Sequence, residues 1–463
     1  MTERMVLSGA GLAGALLAVF LARRGIPVTI YERRPDMRRQ RVSAGRSINL
    51  ALAARGIVAL ERAGLFAQLE PILVAMPGRM IHDPQGGTLY QQYSRHAHEF
   101  NWSASRAVLN MALMDAAEAT GLVEILFEQR VDGYDYERGM LTVHDSQHNA
   151  ERLVPAPVLI ATDGAGSPVR TAMVERFGVA CREEPLGHAY KELCIPPDAA
   201  GGFRMAKDAL HIWPRGGHML IALPNPDGSF TVTLFLPHAA APDAPSFASL
   251  TTPAKLAAFF AAEFPDAVPL LPDLDYDFFN NPTGQLATLR CARWAVAGQT
   301  LLLGDAAHAV VPFHGQGMNC AFEDVVALDS ELGRQPDPRA PDWAAVFAAV
   351  ERERKPNADA IADMAIENYL EMRDLVRDPR FHLTKQLEFL LEGRFPERFV
   401  PRYSMVMFHP EIPYAEAQRR GRVQAELLAE LLRGRDAVEA VDLEVAARLV
   451  SARLPPLPGA AAP

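Results

Sequence analysis

Residues 300–319, TLLLGDAAHAVVPFHGQGMN, set a local geometry that the rest of the chain must accommodate. The apolar stretch 300–303 reads as a buried strand that delivers Asp305 to its end. A loop of small residues follows, and Gly315, Gln316 and Gly317 open a helix through Met318 and Asn319. Such a helix start turns backbone N–H groups and the positive end of the helix dipole toward an anion or a developing negative charge.

Two further junctions of the same kind precede it in the sequence. Gly9, Gly11 and Gly14 lie between an apolar strand and a helical run, at the spacing of a dinucleotide fingerprint. Gly9 permits the tight turn, Gly11 lets the backbone approach a pyrophosphate, and Gly14 allows close helix–strand contact. A second strand, 27–31, follows, and Glu32 closes it where a carboxylate reaches ribose hydroxyls. The third junction is DGAGSPVR at 163–170, an Asp163-led turn after the strand 158–162. The glycine motif alone leaves FAD and NAD(P) both open.

Composition narrows the partners. A net charge of -10 excludes nucleic acid as the main ligand, which would need a basic face. Anionic cofactors must then sit in locally positive pockets. The four cysteines, Cys181, Cys194, Cys291 and Cys320, lie far apart without a Cys-x-x-Cys pair, as expected of free thiols in a reducing cytoplasm. The apolar run 6–21 is interrupted by the fingerprint glycines and preceded by Glu3, so it reads as strand and helix rather than a secretion signal. No other run is long enough to span a bilayer, and no His/Cys/Asp/Glu cluster has metal-ligand spacing.

Strand-rich text fills 187–290, where the turn 224–229 joins two strands as a hairpin, and helices dominate after Gly317. The expected fold is α/β with an α+β insert. A Rossmann-like dinucleotide-binding domain is assembled from 1–72, 104–178 and 291–330. A mainly antiparallel sheet domain for substrate comes from 73–103 and 179–290, and 331–463 forms a helical C-terminal region.

The three junctions, in this order, resemble the single-component FAD-dependent aromatic hydroxylases. Narrower blocks are similar to the kynurenine 3-monooxygenase family: YERRPD at 31–36, SAGRSINLAL at 43–52, RMIH at 79–82, Ser105-Arg106, HIWP at 211–214, FPD at 264–266, NYLEMR at 368–373 and YSMV at 403–406. Matches run from residue 6 to about 420. The blocks at 43–52 and 368–373 are not general flavoprotein features and carry the narrower likeness.

The resemblance implies the p-hydroxybenzoate hydroxylase type of fold, FAD as cofactor and NADPH as co-substrate. It implies conversion of L-kynurenine and O2 to 3-hydroxy-L-kynurenine, a step of tryptophan catabolism and NAD biosynthesis. Another aromatic acid or amide is the alternative substrate. A flavin protein without hydroxylase activity is the alternative class.

The implied cofactor contacts are Gly9, Gly11, Gly14, Glu32, Arg33, Arg46, Arg106, Asp163, Asp305, Gly315, Gly317, Met318 and Asn319. The implied substrate contacts are Arg79 as a guanidinium for the carboxylate, with Tyr93, Asn368 and Tyr403 as hydrogen-bonding partners. Leu210, Ile221, Leu223, Phe235 and Met372 would lie against the ring, and Pro312 and Phe313 would close the pocket. The oxygen-transferring chemistry belongs to the flavin, so no catalytic side chain and no metal are implied.

Two departures stand out. The family often has phenylalanine where this chain has His314. Eukaryotic members carry a C-terminal membrane anchor, whereas 415–432 reads as an amphipathic helix. The expectation is a soluble, cytoplasmic, bacterial-type form, monomeric or homodimeric.

Overall fold

The computed structural model describes residues 4–39, 49–240, 244–372 and 378–458. Its first layer is a six-stranded sheet ordered Ala295–Val296, Thr300–Leu302, Leu159–Ala161, Met5–Ser8, Val28–Tyr31 and Val123–Leu126. All neighbours are parallel except the Ala295–Val296 edge. The central strands are buried throughout, as parallel strands covered on both faces must be. The three strands that end at the expected junctions lie side by side, so Gly9, Asp163 and Asp305 meet at one edge of the sheet. The helix Leu12–Arg23 packs behind the first of them and stops where Gly25, at φ +75°, adopts the left-handed conformation.

A seven-stranded sheet forms the second layer. Its order is Thr283–Cys291, Cys181–Ile195, Phe230–Pro237, Met219–Pro224, Ala209–Pro214, Gly78–His82 and Thr88–Gln92. It is antiparallel except where Gly78–His82 runs parallel to Ala209–Pro214. The expected hairpin is present, with Met219–Pro224 paired to Phe230–Pro237. Asn101–Ser105 pairs instead with Asn49–Leu52 on one side and Leu73–Met76 on the other, in a small three-stranded antiparallel sheet.

Three of the sequence blocks converge behind the large sheet. His82 Nδ1 lies 2.8 Å from Asp266, His82 Nε2 lies 2.9 Å from His211 Nδ1, and the Trp213 indole donates to Asp266 at 2.8 Å. His82 and Trp213 stack at 4.0 Å. Alternation along Gly78–His82 sends His82 to this face and Arg79 to the other. The buried polar cluster therefore braces the strand that presents Arg79.

The C-terminal region is helical, as expected, with Trp343–Leu370, Pro379–Arg394, Arg402–Phe408, Tyr414–Leu431 and Leu443–Arg453. The last two of these pack with Pro379–Arg394 through Leu387, Leu391, Leu427, Leu431 and Val450. Among the described residues, no helix is long and apolar enough to cross a membrane.

The inner face of Pro379–Arg394 also buries Glu392. Its carboxyl is pushed up to about 7, first by burial and then by the Glu99 carboxylate, with His409 and Arg95 pulling the other way. A carboxyl raised in this way holds its proton in the fold across a window where the unfolded chain, at about 4.3, has lost it. Its contribution to stability is full below that window and is lost as pH rises through about 7. Glu392→Gln should melt above wild type at about pH 8, with the difference closing toward about pH 5, as read from Tm against pH. Equal Tm differences at both pH values would contradict this.

Candidate functional site

One continuous cavity runs from the glycine turn to the inner face of the large sheet. At its nucleotide end it is lined by Gly11, Leu12, Thr162, Gly164, Arg106, Asp305, Gly315, Gly317 and Met318. At the sheet end it meets Arg79, Tyr93, Leu210, Ile221, Leu223, Phe235, Pro312, Phe313, Asn368, Met372 and Tyr403. Every residue expected to contact substrate thus faces the same space as the expected cofactor junctions.

The nucleotide end is built for close backbone approach. A Cβ on Gly9, at φ +95°, would sit 2.7 Å from the Thr162 carbonyl, and one on Gly14 would strike the Gly9 carbonyl and the Thr162 hydroxyl. A Cβ on Gly11 would meet nothing within 4 Å, because this glycine borders the open cavity. Asp305 is exposed into that space at the start of a short helix, and the helix Gly317–Gly333 begins beside it. The first turn of an α-helix leaves backbone N–H groups without intrahelical partners. The donor set fits an elongated dinucleotide with hydroxyls for Asp305 and negative charge for the helix start.

Other expected cofactor residues support the cradle rather than line it. Glu32 accepts from the Ala10 N–H at 2.8 Å and from Arg34 Nε at 2.8 Å. Burial would raise its carboxyl, but the Arg34 contacts and the Ala10 N–H hold it below the ordinary range. Asp163 accepts from the Ser8 hydroxyl at 3.0 Å, and burial pushes its carboxyl up to about 6. Arg170 from the same junction donates to the Ala306 carbonyl at 3.0 Å, tying it to the Asp305 loop. The Asn319 side chain is fully buried, accepting from Ala53 N–H and donating to the Ala51 and Gly315 carbonyls. It fastens the loop. Arg33 is exposed, and Arg46 lies outside the described residues.

At the sheet end a cation faces two phenols. Arg79 Nε donates to Gln91 at 2.8 Å, leaving the rest of its guanidinium toward the cavity. Tyr93 and Tyr403 stack at 5.6 Å. Burial raises both phenols, Tyr403 to about 12, with Arg79 pulling downward, so both keep their protons at neutral pH and act as donors. The Asn368 amide donates to the Phe313 carbonyl at 2.7 Å and holds the Pro312–His314 turn in place. Phe313 stacks on Tyr369 at 4.0 Å and packs on Phe235 at 4.9 Å.

Strand alternation adds residues not singled out from sequence. Ile212 shares a face with Leu210, Met219 with Ile221 and Leu223, and Thr233 with Phe235, and all line the cavity. A period-of-two reading extended by one step would have found them. Asn101, a buried amide at an inward strand position, and Tyr190 also line it. His314 stacks on Tyr403 at 5.4 Å with the rings 15° apart. Burial lowers its imidazole to about 4, so it is neutral at physiological pH and occupies a phenyl-like place.

Behind the cavity wall, Asp324 organises the Asp305 loop. One carboxylate oxygen accepts from the Gly304 N–H and lies 2.5 Å from His308 Nε2, while the other accepts from Arg354 Nε at 2.9 Å. His308, Cys320 and Asp324 approach one another closely enough to suggest a metal. The Arg354 guanidinium already supplies the cation there. Glu323 continues the chain, meeting Arg354 at 2.8 Å and Arg55 at 2.7 Å. Arg55 then donates to the carbonyls of Met405, Val406, His409 and Ile412. These charges carried no signal in the sequence, since isolated charged residues on helices ordinarily read as solvated.

A family model described as an FAD binding domain matches residues 4–184 and 274–365. A kynurenine 3-monooxygenase of Myxococcus xanthus (strain DK1622) is 51% identical over 98% of this chain and 96% of its own length. A kynurenine 3-monooxygenase of Stenotrophomonas maltophilia (strain K279a) is 48% identical over 99% of both. Among solved structures, a tetrameric form of 2-methyl-3-hydroxypyridine-5-carboxylic acid oxygenase matches with a TM-score of 0.64 at 20% identity, over 82% of this chain and 94% of that one. Pseudomonas aeruginosa PqsL in complex with 2-aminobenzoylacetate matches with a TM-score of 0.62 at 20% identity, over 80% and 96%. The structural matches establish the fold.

Removing Arg354 would leave the fully buried Asp324 carboxylate without its guanidinium partner. Arg354→Met should destabilise the protein by about 3–5 kcal/mol, the cost of breaking a buried ion pair from one side. Denaturant midpoints check this, and a loss below about 1 kcal/mol, the surface-pair range, would contradict the assignment.

Proposed function

The chain belongs to the kynurenine 3-monooxygenase family, and on that premise we propose how its cavity binds and orients L-kynurenine. The activity is FAD-dependent hydroxylation of kynurenine to 3-hydroxy-L-kynurenine, with NADPH as reductant and O2 as the oxygen source. The observation that carries the proposed roles is the single cavity joining the Asp305 junction to Arg79 and the two phenols.

Arg79 receives the substrate carboxylate, since a planar guanidinium offers paired, charge-assisted donors. Tyr93 and Tyr403, held protonated by burial, supply neutral donors beside it. Asn368 acts chiefly through Phe313, whose carbonyl it holds. Leu210, Ile221, Leu223, Phe235 and Met372 take the aromatic ring and leave the carbon ortho to its amine facing the nucleotide end. Asp305 would accept from a hydroxyl of the bound FAD, and the 315–319 helix start would offer its N–H groups to the cofactor's negative charge. Arg106 and Gly11 lie along the rest of the cofactor.

FAD, when bound and reduced by NADPH, would activate O2, from which the transferred oxygen atom comes. The protein's own contribution is placement and dryness. The substrate amine feeds electron density into the ortho carbon, and the apolar wall holds that carbon toward the flavin. The same wall excludes water, which would otherwise divert the oxidant to hydrogen peroxide. The helix dipole at Gly317 would stabilise negative charge on the cofactor. A neutral His314 adds no competing charge beside Tyr403. Free rather than bridged cysteines support a cytoplasmic location.

Arg79→Ala should weaken kynurenine binding by about 1.5–3 kcal/mol, the range for hydrogen bonds to charged groups. That appears as a roughly 10- to 150-fold rise in KM with FAD still bound, and an unchanged KM would remove Arg79 from the site. Asp305→Ala should lose FAD, seen as a weaker visible flavin band after purification. Full yellow colour in that variant would show that Asp305 does not hold the cofactor.

A further inference from the structure

Two thiols that are remote in sequence meet where the chain crosses between the two sheets. Cys181 is the first residue of Cys181–Ile195, and Cys291 is the last of Thr283–Cys291. They are direct partners in the antiparallel ladder, with their sulfurs 2.7 Å apart. Ala292 N–H donates to the Ala180 carbonyl at the next step, which makes Cys181 and Cys291 a non-hydrogen-bonded pair. In such pairs the Cα atoms lie about 4.5 Å apart, within the roughly 4.4–6.8 Å span of disulfides. The ladder end is also anchored: Arg290, one residue away, donates to Asp363 at 2.7 Å and to the Asp359 carbonyl at 3.1 Å.

We propose that Cys181 and Cys291 form a reversible redox site, closing to an intrachain disulfide under a peroxide. The half-buried Cys181 is the sulfur open to the oxidant, while Cys291 is 2% exposed. Burial and the neighbouring thiol push Cys291 up, with Arg170 and Lys355 pulling the other way. Cys181, its proton given up to water, attacks the peroxide as thiolate, forming an S–O bond and breaking O–O; the hydroxide released takes up that proton and becomes the first water. Cys291 then attacks that sulfur, so S–S forms, S–O breaks, and the second hydroxide leaves as water with the Cys291 proton. Two thiols lose two electrons, and one peroxide becomes two waters. Hydrogen peroxide is the side product whenever oxygen activation is not coupled to hydroxylation, so the oxidant arises at the enzyme itself. The bridge would pin the chain's exit from the nucleotide-binding region to its return.

The remaining cysteines are poor competitors. Burial and the Asp277 carboxylate raise Cys194 to about 11, and Cys320 is fully buried beside Asp324. Arg170 links the site to the cofactor loop through the Ala306 carbonyl.

The test treats FAD-loaded wild-type enzyme with stoichiometric hydrogen peroxide, then counts thiols and maps peptides by mass. The expected result is a fall from four free thiols to two, a mass lower by about 2 Da and a peptide linked through Cys181 and Cys291, all reversed by dithiothreitol. Cys291→Ser should instead leave a sulfenic acid at Cys181 that dimedone traps, with flavin absorbance reporting that the variant is folded. Four unchanged thiols in the wild type would overturn the proposal. So would a bridge to a different cysteine, or over-oxidised Cys181 beside reduced Cys291.

Discussion

The fold of the active cavity depends on where one buried carboxylate finds its charge. Asp324 sits fully buried inside the helix Gly317–Gly333 and is held below the ordinary carboxylate range by His308 and Arg354, against the cost of burial. A carboxylate in that position is tolerable only because each oxygen has a partner. Those partners lie on different segments. Gly304 and His308 belong to the Asp305 loop, and Arg354 belongs to the helix that later carries Asn368. Glu323 passes the chain of charges to Arg55, whose guanidinium lies 4.0 Å over Tyr414 and binds the carbonyls that end the Tyr403 helix. The cofactor loop, the substrate roof and the helical C-terminal region are thus set in one register by a network that touches neither ligand.

That arrangement divides the work. The parallel sheet brings three strand ends to one edge and makes a cradle where only glycine fits. The larger sheet contributes an apolar face that presents Arg79, braced by a histidine–aspartate cluster on its reverse side. Neither layer alone encloses a substrate. The Pro312–His314 turn closes the space between them, stapled by Asn368 and stacked on Tyr369 and Tyr403. Hydroxylation by an activated flavin asks the protein for a dry, oriented pocket more than for an acid or a base.

Much of this was legible in the sequence because the features are local. The glycines at 9, 11 and 14, Asp305 after its strand, and the hairpin turn at 224–229 each impose geometry within a few residues. The residues proposed to contact substrate were legible only through family resemblance, since Arg79 or Tyr403 alone looks like any surface arginine or amphipathic tyrosine. The charge network was not legible: Arg55 reaches Ile412 across 357 positions, and no periodicity marks that partnership. The same is true of Cys181 and Cys291, which read as distant free thiols and lie side by side only because two long strands pair end to end. The edges of the 73–103 segment were misleading for a related reason. Leu73–Met76 and Asn101–Ser105 alternate like sheet-domain strands, and only their pairing with each other, and that of Asn101–Ser105 with Asn49–Leu52, shows which sheet they join.

The most direct test is NADPH oxidation by the FAD-loaded protein with and without L-kynurenine, following the product by mass and peroxide in parallel. The cavity described here predicts that kynurenine stimulates NADPH consumption and leaves as a product one oxygen atom heavier, with little peroxide. Stimulated consumption in which all the oxygen emerges as peroxide would contradict it, because the ring would then not be held where the oxygen is delivered.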